Sequence, residues 1–465
     1  MQEKQEGKIM NKYTKITASI GPNCEDKETL TRMISAGVNI CRLNFSHDTG
    51  DAQGAKIDLI RSVSEELETP VAIMIDLQGP KHRIGNFATE KPYDLVIGQK
   101  FTFDNDPTPG DNTRVQLPDS DVLKSLNVGD RVLLNDGKIE MRVDDVLDNA
   151  VVTTVLRGDK IWSRRGFNLP DTEISTSVLT PKDRADLEYA ITKKPDYVAI
   201  SFVQKPEDIA EVRDFITQRT AHPIKIIAKI ERPNAVERIC DIAAAADGIM
   251  IARGDLAVEV PFEAVPAISR CIIRECRKMN KPVIVATQML GSMVASEFPT
   301  RAEITDVANT AYLRADSTMT SEETTIGINP VNVIETMYKI LSHADMDAIA
   351  NPYDWSRVEN IPENDWSRSV ASMAYLNKAS AIVVFARDTD IAIQISCRKP
   401  DIPIVAVCNE SATANQLCLA RGIFPIYDPQ LFGMRDAFNA VRRFQINMGK
   451  LVIVDEDKIS LRTLD

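Results

Sequence analysis

Two acidic residues stand at the ends of two consecutive apolar runs in the middle of the chain. Glu231 ends the run IKIIAKIE, and Asp255 ends the run GIMIARGD. If these runs are neighbouring strands of a parallel sheet, which lie about 4.8 Å apart, both carboxylates can reach one cation. Two carboxylates, with the other positions left to water and substrate oxygens, commonly bind Mg²⁺. The pair therefore predicts a site for a divalent metal.

A lysine precedes the first of these acids by two residues. Lys229 projects to the same side of its strand as Glu231, and a buried ammonium group is costly unless it faces an anion. The backbone N–H groups of RGDL at 253–256 could seat a carboxylate or a phosphate where a helix begins. Further phosphate could be clamped by three arginines, Arg42, Arg83 and Arg165. These groups predict a site for an anionic, oxygen-rich substrate on a divalent metal.

The same residues have a structural alternative, because loops at strand ends are polar by default. That alternative is an ion-pair network at the rim of the sheet, formed by Lys229, Glu231, Arg253 and Asp255. Other chemistries lack their motifs. The chain has no Gly-x-x-x-x-Gly-Lys-Ser/Thr loop, no Gly-x-Gly-x-x-Gly after a strand, no Ser/His/acid elbow and no His-Glu-x-x-His. Triad hydrolysis and zinc proteolysis are therefore not expected.

The elements that must position these groups are short apolar runs, each followed by a segment of helical periodicity. The runs lie at 14–21, 38–46, 71–79, 196–202, 224–231, 248–255, 282–289 and 315–323. Consecutive βα units with apolar strands indicate parallel pairing, and eight of them close into a TIM (β/α)8 barrel. The polar groups that follow these strands are Arg42, Asn44, Ser46, His47, Asp76, Lys81, Arg83, Ser201, Lys229, Glu231, Arg253, Asp255, Thr287, Gln288, Ser321, Glu322 and Glu323.

Two further segments break the βα rhythm. Residues 86–170 have alternating strands and Gly-Asp turns, which predict a small inserted β-barrel domain that can act as a lid. After a connector rich in Pro, Trp and Asn at 351–368, the remaining chain predicts a separate α/β domain. We therefore expect a discontinuous catalytic barrel at 1–85 and 171–344, an all-β lid at 86–170, and a C-terminal α/β domain at 345–465.

Composition narrows the class of protein. The 465 residues are 44% apolar and 26% charged, with a formal charge of −12, which argues against general nucleic-acid or membrane binding. The apolar runs are too short to span a bilayer, and the N-terminus lacks the apolar segment of a secretory signal. The eight cysteines form no Cys-x-x-Cys pair and have no histidine at metal-ligand spacing. We expect a cytoplasmic protein with reduced thiols.

Several motifs in order along the chain resemble those of the pyruvate kinase family. They are SIGP, RLNFSH, NDGKI, GFNLP, LTPKD, AKIERP, IMIARGDLAVE, VIVATQML and PTRAEITDVAN. The resemblance runs from about Thr14 to Leu341 and continues more weakly beyond. It implies phosphoryl transfer from phosphoenolpyruvate to ADP, then protonation of the enol to pyruvate, as in the last step of glycolysis. It also implies Mg²⁺ or Mn²⁺ as the cofactor and a homotetramer.

The resemblance implies a role for each matching residue. Lys229 would stabilise the phosphoryl group in flight, and Arg42 would contact it. Backbone groups of Gly254 and Asp255, with the Thr287 side chain, would seat the carboxylate end of the substrate. The metal ligands would be Glu231 and Asp255. The nucleotide side would be served by Asn44, Ser46, His47, Arg83 and Arg165.

Some positions depart from the family pattern. Gly291 stands where Glu is usual, Ala257 where Gly is usual, and Thr320 and Glu322 where Leu and Gly are usual. A carboxylate at Glu322 could repel the substrate phosphate or alter the metal site. An alternative is therefore a catalytically weakened homologue that binds phosphorylated metabolites or partner subunits. A metal-dependent lyase or aldolase ranks last, because it needs neither the inserted domain nor RLNFSH. The complete set of candidate residues favours an active enzyme.

The stretch MIDLQGPKHRIG at 74–85 raises the question of potassium. Taken alone, Asp76, Lys81 and Arg83 could be an ion-paired corner. Most relatives read Asp-Thr-Lys-Gly-Pro-Glu here and need K⁺ near the residues that match Asn44, Ser46 and Asp76. This chain has Lys81 in place of that Glu, as in relatives that work without K⁺. Because an ammonium group can replace a monovalent cation of the same charge, we expect no requirement for K⁺.

Overall fold

The structure is a computed structural model, and it describes residues 12–173, 177–351 and 365–463 apart from 432, 434, 435, 447, 448 and 457. The N-terminal stretch before residue 12 and most of the 351–368 connector lie outside the described residues. The first strand–helix units are β1 (Lys15–Ser19), α1 (Lys27–Ala36), β2 (Ile40–Asn44), α2 (Gly50–Glu66) and β3 (Ala72–Asp76). Helix α1 begins after Asp26, whose carboxylate accepts the Thr29 N–H, and ends at Gly37 in the left-handed region (φ 124°).

The inserted segment after β3 is built almost entirely from strands. Its elements are β4 (Tyr93–Asp94), β5 (Lys100–Asp104), β6 (Arg114–Gln116), α3 (Ser120–Ser125), β7 (Arg131–Leu134), β8 (Ile139–Leu147), β9 (Ala150–Arg157), β10 (Lys160–Ile161) and β11 (Phe167–Asn168). Where a small β-barrel is predicted, the described residues form a six-stranded sheet, in the order β11-β7-β8-β9-β5-β6, and a β10-β4 ribbon. Alternate residues of β9 are buried, so one face of the sheet packs on a core that includes Phe101, Phe103 and Phe167.

The chain then returns to the βα rhythm. The next elements are α4 (Pro181–Thr192), β12 (Tyr197–Ile200), α5 (Pro206–Thr217), β13 (Lys225–Ile230), α6 (Pro233–Glu237), α7 (Ile239–Ala245), β14 (Gly248–Ala252), α8 (Arg253–Glu259), α9 (Val265–Lys278), β15 (Val283–Ala286), α10 (Arg301–Tyr312), β16 (Ser317–Thr320), α11 (Glu322–Thr325) and α12 (Pro330–Ala350). Short 3₁₀ turns lie at Phe262–Ala264 and Gly291–Val294. Capping boxes at Thr180 and Thr300 explain where α4 and α10 begin.

Eight parallel strands close the barrel in the order β1-β16-β15-β14-β13-β12-β3-β2, which confirms the predicted TIM barrel. The closing pair joins β1 to β16, with Lys15 opposite Ser317. Buried apolar side chains such as Met74, Ile227 and Met250 fill the barrel interior. No helix in the described ranges is long and apolar enough to cross a membrane.

The C-terminal residues form the predicted α/β domain. Its elements are α13 (Trp366–Leu376), β17 (Ala379–Ala386), α14 (Asp390–Cys397), β18 (Ile404–Cys408), α15 (Ser411–Leu417), β19 (Ile423–Tyr427), a 3₁₀ turn (Pro429–Leu431), α16 (Ala437–Arg442), β20 (Lys450–Asp455) and β21 (Lys458–Thr463). The strand order is β19-β18-β17-β20-β21, and β21 alone runs antiparallel to its neighbour. The predicted domain limits stay predictions. Helix α12 continues across the predicted limit between residues 344 and 345.

The C-terminal domain seals the N-terminal end of the barrel. Cys418 and Leu419, which follow α15, belong to the apolar cluster of the barrel interior. Asp345 of α12 joins the two parts: it accepts the Tyr13 and Thr14 N–H groups at 2.8 Å each and binds the Arg421 guanidinium at 2.7 Å. Both side chains of the Arg421–Asp345 pair are almost fully buried, so each charge depends on the other.

Replacing Asp345 with alanine would leave the buried Arg421 without its counter-charge. We expect Asp345→Ala to destabilise the fold by about 3–5 kcal/mol, seen as a lower thermal unfolding midpoint. The matched control is Glu335→Ala, an exposed acid on the same helix, which should leave the midpoint almost unchanged. Equal midpoints for the two variants would contradict this account of the domain junction.

Candidate active site

Lys229 lies at the centre of the polar groups at the C-terminal end of the barrel. Its ammonium nitrogen, Nζ, is 2.7 Å from Ser201 Oγ, 3.0 Å from Glu231 Oε1 and 3.2 Å from Asp76 Oδ1. Strand β13 supplies the lysine, β3 ends at Asp76, and Ser201 follows β12. The barrel therefore brings one cation and two carboxylates together from β13 and β3, the two neighbours of β12, at the strand ends where polar groups are predicted.

Arg42 of β2 completes this group from the other side of Asp76. Its Nε and a terminal nitrogen lie 2.7 and 2.6 Å from Asp76 Oδ2, and its other terminal nitrogen donates to Ser19 Oγ at 2.8 Å. Burial alone would raise the pKa of Asp76, but the charges of Lys229 and Arg42 outweigh it and lower that pKa. Asp76 is therefore a buried carboxylate that stays ionised because two cations face it.

The same balance fixes the charge of Lys229. Burial alone would lower the pKa of Lys229, but Asp76 and Glu231 outweigh it and raise that pKa above its ordinary value. The ammonium form is therefore the form present at neutral pH. Lys229 is a fixed positive charge inside the mouth of the barrel.

Glu231 and Asp255, the candidate metal ligands, lie on consecutive βα units. Glu231 is buried, and its Oε2 accepts the Phe202 N–H at 2.7 Å. Burial and then the charge of Asp255 raise the pKa of Glu231, against the opposing effect of Lys229. A cation shared by the two carboxylates would relieve this repulsion, so the pair fits a hard divalent ion. The described residues contain no cluster of three or more His, Cys, Asp or Glu side chains that could hold a metal.

Lys81 lies beside this pair. Its Nζ is 3.2 Å from Asp255 Oδ1, and both side chains are about one-third exposed, at 32% and 35%. Within the described part of the chain, Asp255 is the one residue with which Lys81 forms an ion pair. Asn44 and Ser46 instead bond to each other, through the Ser46 N–H and Asn44 Oδ1 at 3.1 Å. The structure thus places the Lys81 charge next to a candidate metal ligand.

Thr287 and Gly254 lie side by side at the ends of β15 and β14. The Gly254 N–H donates to Thr287 Oγ1 at 2.8 Å. Thr287 has a φ of 70°, which is unusual for a β-branched residue and therefore marks a strained strand end. The Arg253 guanidinium holds this backbone, because one nitrogen donates to the Thr287 carbonyl at 2.8 Å and two contact Asp306. Arg253 is thus outside the ion-pair network in which the structural alternative places it.

The five residues predicted for the nucleotide side form two groups. Asn44 ends β2, and Ser46 and His47 follow it. The Gln53 side chain donates to the carbonyls of Asn44 and His47 at 3.0 Å each. Arg83 and Arg165 lie at the base of the inserted sheet, where Arg165 stacks on the Trp162 ring at 4.6 Å. In the described ranges, neither group forms a hydrogen bond or an ion pair with Lys229, Glu231 or Asp255.

The structure shows the surroundings of two positions that depart from the family pattern, Glu322 and Gly291. Glu322 is exposed at the start of α11, whereas its neighbour Glu323 is buried and accepts the Ser321 N–H at 2.6 Å. At Gly291, an added Cβ would lie 3.7 Å from Glu303 Oε1. Glu303 accepts the Ser292 N–H at 2.6 Å, so a carboxylate from α10 already occupies this place.

Sequence reasoning missed some partners of the central groups. Ser19 and Asp306 are not among the predicted site residues, although each bonds directly to an arginine at a strand end. Ser19 ends β1 and lies opposite Arg42 in the strand register, so its position at a strand end was the available signal. Asp306 lies inside α10, where no local pattern distinguishes it.

Comparison with known proteins agrees with this geometry. The family model "Pyruvate kinase, barrel domain" matches residues 11–334, and "Pyruvate kinase, alpha/beta domain" matches residues 364–458. A pyruvate kinase from Methylorubrum extorquens is 37% identical over 96% of this chain and 94% of its own length. One from Thermococcus litoralis is 35% identical over 96% and 94%.

A solved structure shows the same fold. The crystal structure of a pyruvate kinase from Cryptosporidium parvum superposes with a TM-score of 0.92 at 29% identity, covering 98% of this chain and 97% of that one. The family models cover both the barrel and the C-terminal domain, and the relatives align over nearly the whole chain. The chain therefore belongs to the pyruvate kinase family.

Proposed function

We propose that this enzyme transfers the phosphoryl group of phosphoenolpyruvate to ADP, giving pyruvate and ATP, with Mg²⁺ and without K⁺. The observation that carries the proposal is the Lys229 ammonium group, held within 3.2 Å of Asp76 and Glu231 beside the second candidate metal ligand. Phosphoryl transfer depends on positioning and charge stabilisation, and these groups supply both. The relatives named above are all called pyruvate kinases, which supports the same reaction.

In this proposal the positive charge of Lys229 stabilises the phosphoryl group while it is transferred. The bond between the enol oxygen and phosphorus breaks while an oxygen of the ADP β-phosphate bonds to phosphorus, and the enolate left behind takes up a proton to give pyruvate. Negative charge on the phosphoryl oxygens is stabilised by fixed donors that need no reorganisation. Because the pKa of Lys229 is raised, it stays charged through this step. Arg42, which is partly exposed, can contact the same oxygens.

Glu231 and Asp255 would hold Mg²⁺ or Mn²⁺. The bound ion would supply positive charge to the substrate oxygens and fix their orientation. The two carboxylates leave most of the coordination positions to water and substrate, which is how Mg²⁺ commonly binds. Backbone groups of Gly254 and Asp255, with the Thr287 side chain, would seat the substrate carboxylate. Asn44, Ser46, His47, Arg83 and Arg165 would serve the nucleotide.

The absence of a K⁺ requirement is proposed from Lys81. Its ammonium group, 3.2 Å from Asp255 Oδ1, is a tethered monovalent cation next to one candidate metal ligand. A tethered charge needs no recruitment from solution. We also propose that the enzyme acts in the cytoplasm as a homotetramer, as the family resemblance suggests.

The first prediction concerns the charge of Lys229. Lys229→Met should lower kcat about 10²–10³-fold, the loss typical when one donor to a developing anion is removed. The matched control is Lys225→Met, on the same strand but at the opposite end of the barrel, where kcat should not change. A coupled assay with phosphoenolpyruvate, ADP and Mg²⁺ measures both variants. Turnover by Lys229→Met at the wild-type rate would rule out the proposed role.

The second prediction concerns pH. A lysine whose pKa is raised in the folded protein keeps its charge up to and beyond its ordinary value of about 10.4. Arginine is charged throughout this range, so the ratio of the kcat of Lys229→Arg to that of the wild type should be constant between about pH 7 and 9.5. Rate measurements across this range test it. A ratio that rises with pH would show that Lys229 loses its proton and has a lowered pKa.

The third prediction concerns potassium. The wild-type enzyme should have equal activity in Na⁺, K⁺ and tetramethylammonium buffers. Lys81→Glu removes the tethered cation, so its activity should depend on K⁺ and fall at least about tenfold without it, the equivalent of about 1.4 kcal/mol. The control Lys91→Glu makes the same charge change at an exposed position of the inserted segment and should stay K⁺-independent. Strong stimulation of the wild type by K⁺ would contradict the proposal.

A further inference from the structure

We propose that Arg232 is a positioning residue for the reaction, which fixes the inserted β-sheet segment on the helix that carries Asp255. The expected changes in kcat and KM rest on the proposed function. Arg232 directly follows the candidate metal ligand Glu231 and lies just before α6. It is 5% exposed, so its guanidinium group is directed into the protein and away from solvent.

One side of the guanidinium group binds the segment through which the chain returns from the inserted sheet to the barrel. A terminal nitrogen of Arg232 donates to the carbonyl oxygens of Leu169 at 2.7 Å and Thr172 at 2.9 Å. Both carbonyls belong to residues that follow β11, the last strand of the insertion. Backbone carbonyls cannot swing away as side chains can, so these two bonds fix the path of the returning chain.

The other side of the guanidinium group binds α8. Nε lies 3.3 Å from Glu259 Oε2, and the other terminal nitrogen donates to Gln204 Oε1 at 3.2 Å. Glu259 is one helical turn after Asp255, and its side chain is 4% exposed. The second oxygen of Glu259 accepts the Asn168 side-chain amide at 3.1 Å. Arg232 and Glu259 thus join β11, the returning chain and α8 in one buried network.

The inserted sheet also comes close to the same helix at a second place. The turn between β7 and β8 contains Gly137, and a Cβ built on Gly137 would lie 3.7 Å from Val258 Cγ1. Val258 and Glu259 are adjacent residues of α8. The insertion therefore contacts the C-terminal end of α8 through Asn168 and Glu259 and comes close to it at the β7–β8 turn.

The orientation matters because the insertion carries a candidate nucleotide residue. Arg165 lies three residues before Asn168, and its neighbour Gly166 forms an isolated bridge with Arg83. The candidate residues for the phosphoenolpyruvate side lie on the barrel. A displacement of about 1 Å in a group that positions substrate can cost about 10²-fold in rate. Loss of the Arg232 bonds should therefore affect the nucleotide more than phosphoenolpyruvate.

The test compares Arg232→Met with Arg238→Met and Arg232→Lys in the full-length enzyme. Arg238 is a matched control, because it is an exposed arginine 3.9 Å from Glu173 of the same returning segment. We expect Arg232→Met to lower kcat about 10- to 100-fold and to raise the KM for ADP more than the KM for phosphoenolpyruvate. Arg232→Lys should recover part of the loss, and Arg238→Met should match the wild type.

A second measurement needs no turnover. Trp162 lies on the inserted segment, so its fluorescence can be measured alone in a background with Trp355→Phe and Trp366→Phe. Arg232→Met should increase the quenching of Trp162 by acrylamide, and Arg238→Met should not. If Arg232→Met keeps both kinetic constants and the quenching of the wild type, the proposal is wrong, even where the unfolding midpoint falls. Failure of the wild type to transfer phosphoryl groups would instead overturn the proposed function, and the quenching result would still decide the role of Arg232.

Discussion

A single buried ammonium group, that of Lys229, determines how the rest of the candidate site is arranged. Placing such a charge inside a barrel is unfavourable unless anions face it, so Asp76 and Glu231 must lie within bonding distance. Asp76 in turn requires a second cation, Arg42. With Lys81 and Asp255 the site has three cationic and three anionic side chains. Because these charges balance, a divalent metal bound with the substrate would offset most of the substrate's negative charge, which favours binding of the pair.

Closure of the barrel makes this arrangement possible. The central groups come from strands that are far apart in sequence, and they meet because β2, β3, β12 and β13 are consecutive neighbours in the closed sheet. In the strand register, Asp76 of β3 lies between Asn44 of β2 and Ala199 of β12. The C-terminal domain contributes from the opposite end, where Cys418 and Leu419 complete the apolar interior. The polar groups at the C-terminal end of the barrel therefore lie above an apolar interior, which holds the strand ends in place.

Much of this was predictable from local pattern. The apolar runs that contain β1, β13 and β14 predict barrel strands, because parallel barrel strands are buried on both faces. The polar residues at the ends of β13 and β14 include Lys229 and the two candidate metal ligands. The pairing of Arg253 with Asp306 was not predictable, because it depends on how α10 packs beside β15. Strand β21 is not predictable from an apolar run, because its sequence, KISLRT, contains none. The contacts of Arg232 with Leu169 and Thr172 were not predictable either. No sequence spacing relates the end of a barrel strand to the segment through which the chain leaves the inserted sheet.

In the proposed function, the charged groups at the C-terminal end of the barrel promote transfer of a phosphoryl group from an enol oxygen to a nucleoside diphosphate. Phosphorus NMR of the purified enzyme with phosphoenolpyruvate, ADP and Mg²⁺ in a sodium buffer follows that group directly. The account predicts that the phosphoenolpyruvate signal is replaced by an equal γ-phosphate signal of ATP. Release of inorganic phosphate in its place, or an unchanged phosphoenolpyruvate signal, would contradict it.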